Sequence, residues 1–237
     1  MHLGDVSYLT NLPAVRSIEM DQPRHQYLQG LPLMPTTKIQ IGPADIGRKM
    51  TLEEFREAEE ASGYLYELAR GVLDVVEIPG DSHGQIVHNL HELLSEYHHL
   101  HPGTILRIGH GSDIRVIIPV LDSDRHPDLG VVFHEDLRDA RGRRRASLVV
   151  EVVSPGKKSR KRDYEEKLEE YLAFGIREYW IVDPEKKRIS VYSRRMVGEV
   201  SSWVEHVFQK NEAIRSELLQ GFEANLAELW VDAGLET

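Results

Sequence analysis

Apolar residues recur at helical spacing in "SHGQIVHNLHELLSEYHHLH", residues 82–101, where Ile86, Leu90, Leu93, Leu94 and Tyr97 share one face. "KRDYEEKLEEYLAFG", residues 161–175, repeats the pattern with Tyr164, Leu168, Tyr171 and Leu172, and Gly175 supplies the stop. A third helix is predicted in "MTLEEFREAEEASG": Thr51 and Glu54 form a capping-box pair, and Gly63 ends the segment. "YLYELARGVLDVVEIPG" reads as a hairpin turning at "ARG". β-prone runs then predict strands near 105–109, 112–118, 128–133 and 147–153. Further strands are predicted in "EYWIVDP", "RISVYS" and "SSWVEHVF", with a short closing helix in "NLAELW". The order predicts an α/β (α+β) domain, a mixed β-sheet flanked by α-helices.

Residues 1–48 carry five of the eleven prolines and no sustained period. They read as an irregular extension ahead of a domain over 49–237. With 237 residues there is ample chain for a core. Cysteine is absent, which excludes disulfides and thiolate metal sites. No apolar run nears the roughly 20 residues of a membrane helix, and the first twenty residues lack a secretory pattern. No membrane partner and a cytoplasmic location are therefore expected.

The net charge of −10 argues against a protein that coats nucleic acid with its whole surface. Residues 138–162 nevertheless hold ten Lys or Arg against Asp139 and Glu151. These tracts, "RGRRR" and "KKSRKR", read either as solvated loops or as a basic rim for a phosphate backbone.

Two carboxylates stand out. Asp128 opens "DLGVVF" and Glu151 interrupts "SLVVEVV", runs that otherwise read as buried strands. A buried carboxylate costs several kcal/mol unless paired, hydrogen-bonded or metal-bound. Lys167, three residues after Tyr164 and four before Tyr171, lies at the edge of its helix's buried stripe. Its stem could cover apolar surface while its ammonium reaches water, or the ammonium could enter a pocket shared with the carboxylates. Hard oxygens on adjacent strands suit a divalent ion such as magnesium, beside which an ammonium orients water and stabilises charge on phosphorus. Two unrelated structural carboxylates are the competing reading.

The motifs "MTLEEF", "GYLYELARGVLDVVE", "SHGQIVHNL", "HPDLGVV", "LVVEVVSP", "DYEEKLEEYLAFGIREYWIVDPEKKRISVY" and "NLAELW" resemble, in order and spacing, the Uma-type restriction endonuclease family of the PD-(D/E)XK nuclease superfamily. The resemblance covers roughly residues 49–232, and the extension has no counterpart in it. It implies a restriction-endonuclease-like fold and a Mg²⁺- or Mn²⁺-dependent endonuclease hydrolysing DNA phosphodiester bonds. Pro127-Asp128 matches the opening of the superfamily motif. Glu151-Val152-Val153 matches its second part but lacks the lysine, which the resemblance relocates to Lys167 on the next helix. By the same resemblance Asp128 and Glu151 ligate the metal with the Val152 carbonyl, and Glu67 is the acid from the amino-terminal part. His83 also falls on a family position. Nucleases of this fold often work in pairs, so a homodimer is expected.

Two rivals remain at this level. One is a catalytically inactive nuclease-fold module that binds DNA or a protein. The other is a zinc site built on His83, His88, His91, His98, His99 and His101, although "HELLS" places Ser95 where H-E-x-x-H needs a second histidine. The nuclease reading requires Asp128 and Glu151 on the same face of the sheet.

Overall fold

A computed structural model describes residues 38–76, 80–139, 142–210 and 212–234, apart from the Ser112 side chain. The extension expected over residues 1–48 lies outside the described residues up to 37. From Lys38 onward the chain belongs to the unit described here.

Strand β1 (Gln40–Ile41) pairs in parallel with β2 (Glu59–Glu60), and between them runs helix α1 (Leu52–Glu57). The capping box forms: Thr51 Oγ1 accepts from Glu54 N at 3.2 Å, and Glu54 Oε2 accepts from Thr51 N at 2.7 Å. The helix stops at Glu57, well before the expected Gly63. Only Leu52 and Phe55 give it a buried face, and the N–H groups of Glu59 and Ala61 bond instead to the carbonyls of Ile39 and Ile41. Tertiary pairing overrides helix propensity there.

The hairpin falls where expected, β3 (Leu65–Ala69) and β4 (Val72–Val76), joined by Arg70 and Gly71. Both turn residues have positive φ, 49° and 75°, the two-residue geometry that matches strand twist. Helix α2 (Asp81–Leu100) buries Ile86, Leu90, Leu94 and Tyr97. Strands β5 (Ile105–Gly109), β6 (Val116–Ile118), β7 (Ser123–Arg125), β8 (Leu129–Phe133) and β9 (Leu148–Val152) follow. A continuous helical crossover of α3 (Lys157–Lys161), a π-helical turn (Arg162–Glu166) and α4 (Lys167–Phe174) leads to β10 (Glu178–Asp183). Gly175, at φ 92°, ends α4 as expected. Strands β11 (Arg188–Val197), β12 (Val200–Gln209), β13 (Ala213–Arg215) and β14 (Glu223–Asn225) precede a closing 3₁₀ helix, Leu226–Trp230, capped by Asn225.

The main sheet has six strands in the order β12-β11-β10-β9-β8-β5, parallel only between β9 and β10. A smaller antiparallel sheet has the order β4-β3-β7-β6. Central strands of the main sheet are buried on both faces, and alternate residues serve two cores. Leu129, Val131, Leu148, Val150 and Val152 meet α2, whereas Val132, Val149, Val153, Tyr179 and Ile181 meet Tyr171 of α4. Gly130 lies where the Ile114 segment crosses β8: a Cβ there would stand 2.7 Å from Ile114 Cγ2. Strand β7 has no apolar residue, yet Ser123, Asp124 and Arg125 are all buried. Ion pairs hold it in place of hydrophobic contacts.

Candidate active site

The register of β8 against β9 pairs Leu129 with Val150 and Gly130 with Val149. Continued by one residue, it sets Asp128 opposite Glu151. Even positions on β8 and odd positions on β9 face the α4 layer, so both carboxylates project from that same face. Val152 is tied to the pair through its backbone: its N–H donates to Asp128 Oδ2 at 2.7 Å. The Asp128 side chain is 21% exposed and that of Glu151 only 3%. Asp128 therefore forms the open side of the pair and Glu151 its floor.

Lys167 is buried, and its ammonium does not reach water. Nζ donates to Glu151 Oε1 at 2.9 Å and to Glu67 Oε1 at 3.3 Å. The π-helical turn just before it is a wide turn of the kind that recurs at functional sites, and both Asp163 and Lys167 come out buried around it. Tyr171, one turn further on, donates from Oη to Glu151 Oε1 at 2.7 Å. Both donors meet one oxygen of Glu151.

Electrostatics divides the two glutamates. Burial pushes the Glu151 carboxyl up to about 8; Lys167 opposes this, and Asp128, Asp163 and Glu67 reinforce it. Burial would also raise Glu67, but Lys167, Arg125 and the His126 N–H outweigh it and hold the group at about 2. Lys167 loses to burial and gains more from Glu151 and Glu67, so its ammonium is held above the usual lysine value. The result is a Glu67–Lys167 pair that stays charged at neutral pH, beside a carboxylate that a cation would help to ionise.

Arg125 and Glu170 escaped the sequence reading. Arg125 Nε and Nη2 clamp Glu170 at 2.8 and 2.9 Å, and Nη1 donates to Glu67 at 3.1 Å. The sequence signal for Arg125 is "DSDRHPD", a polar run between β-prone segments; Glu170, in a helix, carries none. Asp163, fully buried beside Arg162, and the Tyr171 hydroxyl also passed as ordinary helix residues.

His83 Nε2 lies 3.1 Å from Asp128 Oδ1, within ion-pair reach when the ring is protonated but without hydrogen-bond alignment. A cleft of about 610 Å³ opens there, lined by His83, His88, His91, His110, His126 and Asp128 among others. Among the described residues no three His, Asp or Glu side chains converge to hold a metal, which leaves the zinc reading without a site. Two carboxylates on one face, one of them raised by burial, still suit a hard divalent ion that keeps most of its waters.

The basic tracts divide too. In "KKSRKR", Lys158, Arg160, Lys161 and Arg162 pair with Asp74, Asp183, Glu166 and Asp163. Arg160 and Arg162, which are mostly buried, are tied to the fold, whereas Lys158 and Lys161 are exposed.

A search of the curated proteins finds no match. Among solved structures, a putative nuclease belonging to DUF820 from Anabaena variabilis superposes with a TM-score of 0.60 at 18% identity, over 78% of this chain and 99% of that one. At that identity the likeness establishes the fold, a mixed sheet flanked by helices. The Uma2 family model, described as "Putative restriction endonuclease", matches residues 52–227. The chain is a member of the Uma2 family.

Proposed function

We propose that this protein is a Mg²⁺- or Mn²⁺-dependent endodeoxyribonuclease whose centre is Asp128, Glu151, Lys167 and Glu67. One observation carries the reading: a buried lysine bridges two buried glutamates directly beside Asp128. A purely structural role does not call for this arrangement, since apolar residues of similar volume are commonly as stable as a buried ion pair.

Asp128 and Glu151 would hold the ion, with the main chain at Val152 adjacent. When bound, it lowers the pKa of a water and neutralises the phosphate. Lys167 keeps Glu151 oriented and sets a fixed positive charge behind it, which stabilises negative charge developing at the site. Glu67, fixed by Arg125 and the His126 N–H, holds that ammonium from the other side. Tyr171 locks the Glu151 rotamer. The cleft beside Asp128 is the approach for the DNA strand. Like others of this fold, the protein would act as a homodimer in the cytoplasm.

The test is to incubate supercoiled plasmid with the protein and Mg²⁺ or Mn²⁺, beside Asp128→Ala prepared identically. Nicking by the wild type alone supports the reading. Equal nicking by both proteins would mark a contaminant and remove the support for this site, whereas no nicking with either ion would reject the reading and favour a binding module.

A further inference from the structure

A second cavity, of about 240 Å³, lies on the same sheet face as the carboxylates but further along β8. Its walls carry five guanidiniums, Arg107, Arg115, Arg143, Arg144 and Arg145, against two carboxylates, Asp113 and Asp139. Arg115 is committed to Asp124 and Arg143 to Asp139. The others are not. Among the described residues Arg144 donates only to the Asp136 carbonyl, and Arg145 lies over the Phe174 ring at 4.7 Å. Among the described residues Arg107, Arg144 and Arg145 form no ion pair with a carboxylate.

The position of Arg107 is built into the sheet. The ladder between β5 and β8 slips between Ile105 and Arg107, and Arg107 then pairs with Val132, a residue of the cavity wall. Such a bulge re-aims a side chain. Val132 is four residues from Asp128 on the same face, which is about 13 Å at a strand's rise of roughly 3.3 Å per residue. DNA advances about 3.4 Å along its axis per nucleotide of one strand. A backbone phosphate in this cavity would thus lie within a few nucleotides of one at Asp128.

We propose that this cavity is a phosphate seat for the substrate strand, with Arg107, Arg144 and Arg145, none of them paired with a carboxylate among the described residues, as its donors. The proposal rests on the nuclease reading for its substrate but predicts binding rather than cleavage. Planar guanidiniums suit phosphate oxygens, and a seat at fixed distance from the carboxylates would set the register of the strand.

The experiment measures affinity of the full-length protein for a short duplex in EDTA, over a series of salt concentrations. Arg107→Gln and Arg144→Gln should each weaken binding and lower the slope of log K against log salt by about 0.9, the value for one phosphate contact. Arg215→Gln, at an exposed arginine on β13 paired with Glu223, should leave both unchanged. Thermal melts of each variant separate contact loss from misfolding. A wild type that does not bind the duplex, or folded Arg107 and Arg144 variants with wild-type slopes, would overturn the seat. Loss of slope in a protein that never cleaves would keep the seat and reject the nuclease reading instead.

Discussion

Lys167 Nζ stands 2.9 Å from Glu151 Oε1, with both side chains about 97% buried. The pair joins the helical crossover to the central strand, sixteen residues earlier in the chain. Replacing Lys167 with Ala leaves Glu151 and Glu67 without their shared cation, a loss of about 3–5 kcal/mol for a broken buried pair. Cleavage should vanish, whereas DNA affinity should hold, because one buried charge contributes little to backbone binding. Lys167→Arg should rescue poorly, since a planar guanidinium does not fit a site shaped for a compact ammonium. Chemical denaturation gives the stability, and single-turnover cleavage beside a binding isotherm separates chemistry from affinity.

The two glutamates predict opposite responses to pH. Glu67 falls from an ordinary value near 4.5 to about 2, so its stabilisation is present above pH 4.5 and is lost as pH drops toward 2. At 1.36 kcal/mol per unit the loss is about 3 kcal/mol. Glu151 is raised, so the folded state binds the extra proton between about pH 4.5 and 8, and stability declines as pH rises through that window. Denaturant midpoints from pH 2 to 8 should show both limbs. In Glu151→Gln the decline toward pH 8 should be absent.

Metal and pH are then linked. A divalent ion at Asp128 and Glu151 requires the ionised carboxylate, so Mg²⁺ should raise the melting temperature more at pH 8 than at pH 5. An equal shift at both values would place the ion elsewhere.

Arg125 is a second buried cation on which the fold depends. It is 1% exposed and serves Glu67 and Glu170 together. Arg125→Ala should destabilise by about 3–5 kcal/mol, read as a lower urea midpoint with unchanged slope. Thr51→Ala, which removes the α1 cap on the surface, should cost about 1 kcal/mol in the same assay.

How far the chain could be read in advance follows from what holds each part together. Asp128 and Glu151 announced themselves because an isolated carboxylate in a β-branched run contradicts its surroundings. Lys167 was visible as a cation at the margin of an apolar stripe. Helix α2 follows its 3.6-residue period because it packs one face on an apolar sheet. Strand β7 could not be seen: Ser123, Asp124 and Arg125 show no pattern, and Arg125 finds its partners 58 and 45 residues away. The end of α1 was missed because β1 claims its downstream N–H groups. Asp163 and Glu170 resemble any solvated helix acid until the chain folds around Arg162 and Arg125.

The central claim is that Asp128 and Glu151 share one divalent ion. Calorimetric titration of Mn²⁺ at pH 8 into the wild type, Asp128→Asn and Glu151→Gln, each confirmed folded by its melt, tests it without relying on cleavage. The account predicts one site per chain in the wild type and its loss in both variants. Wild-type binding in either variant would contradict it.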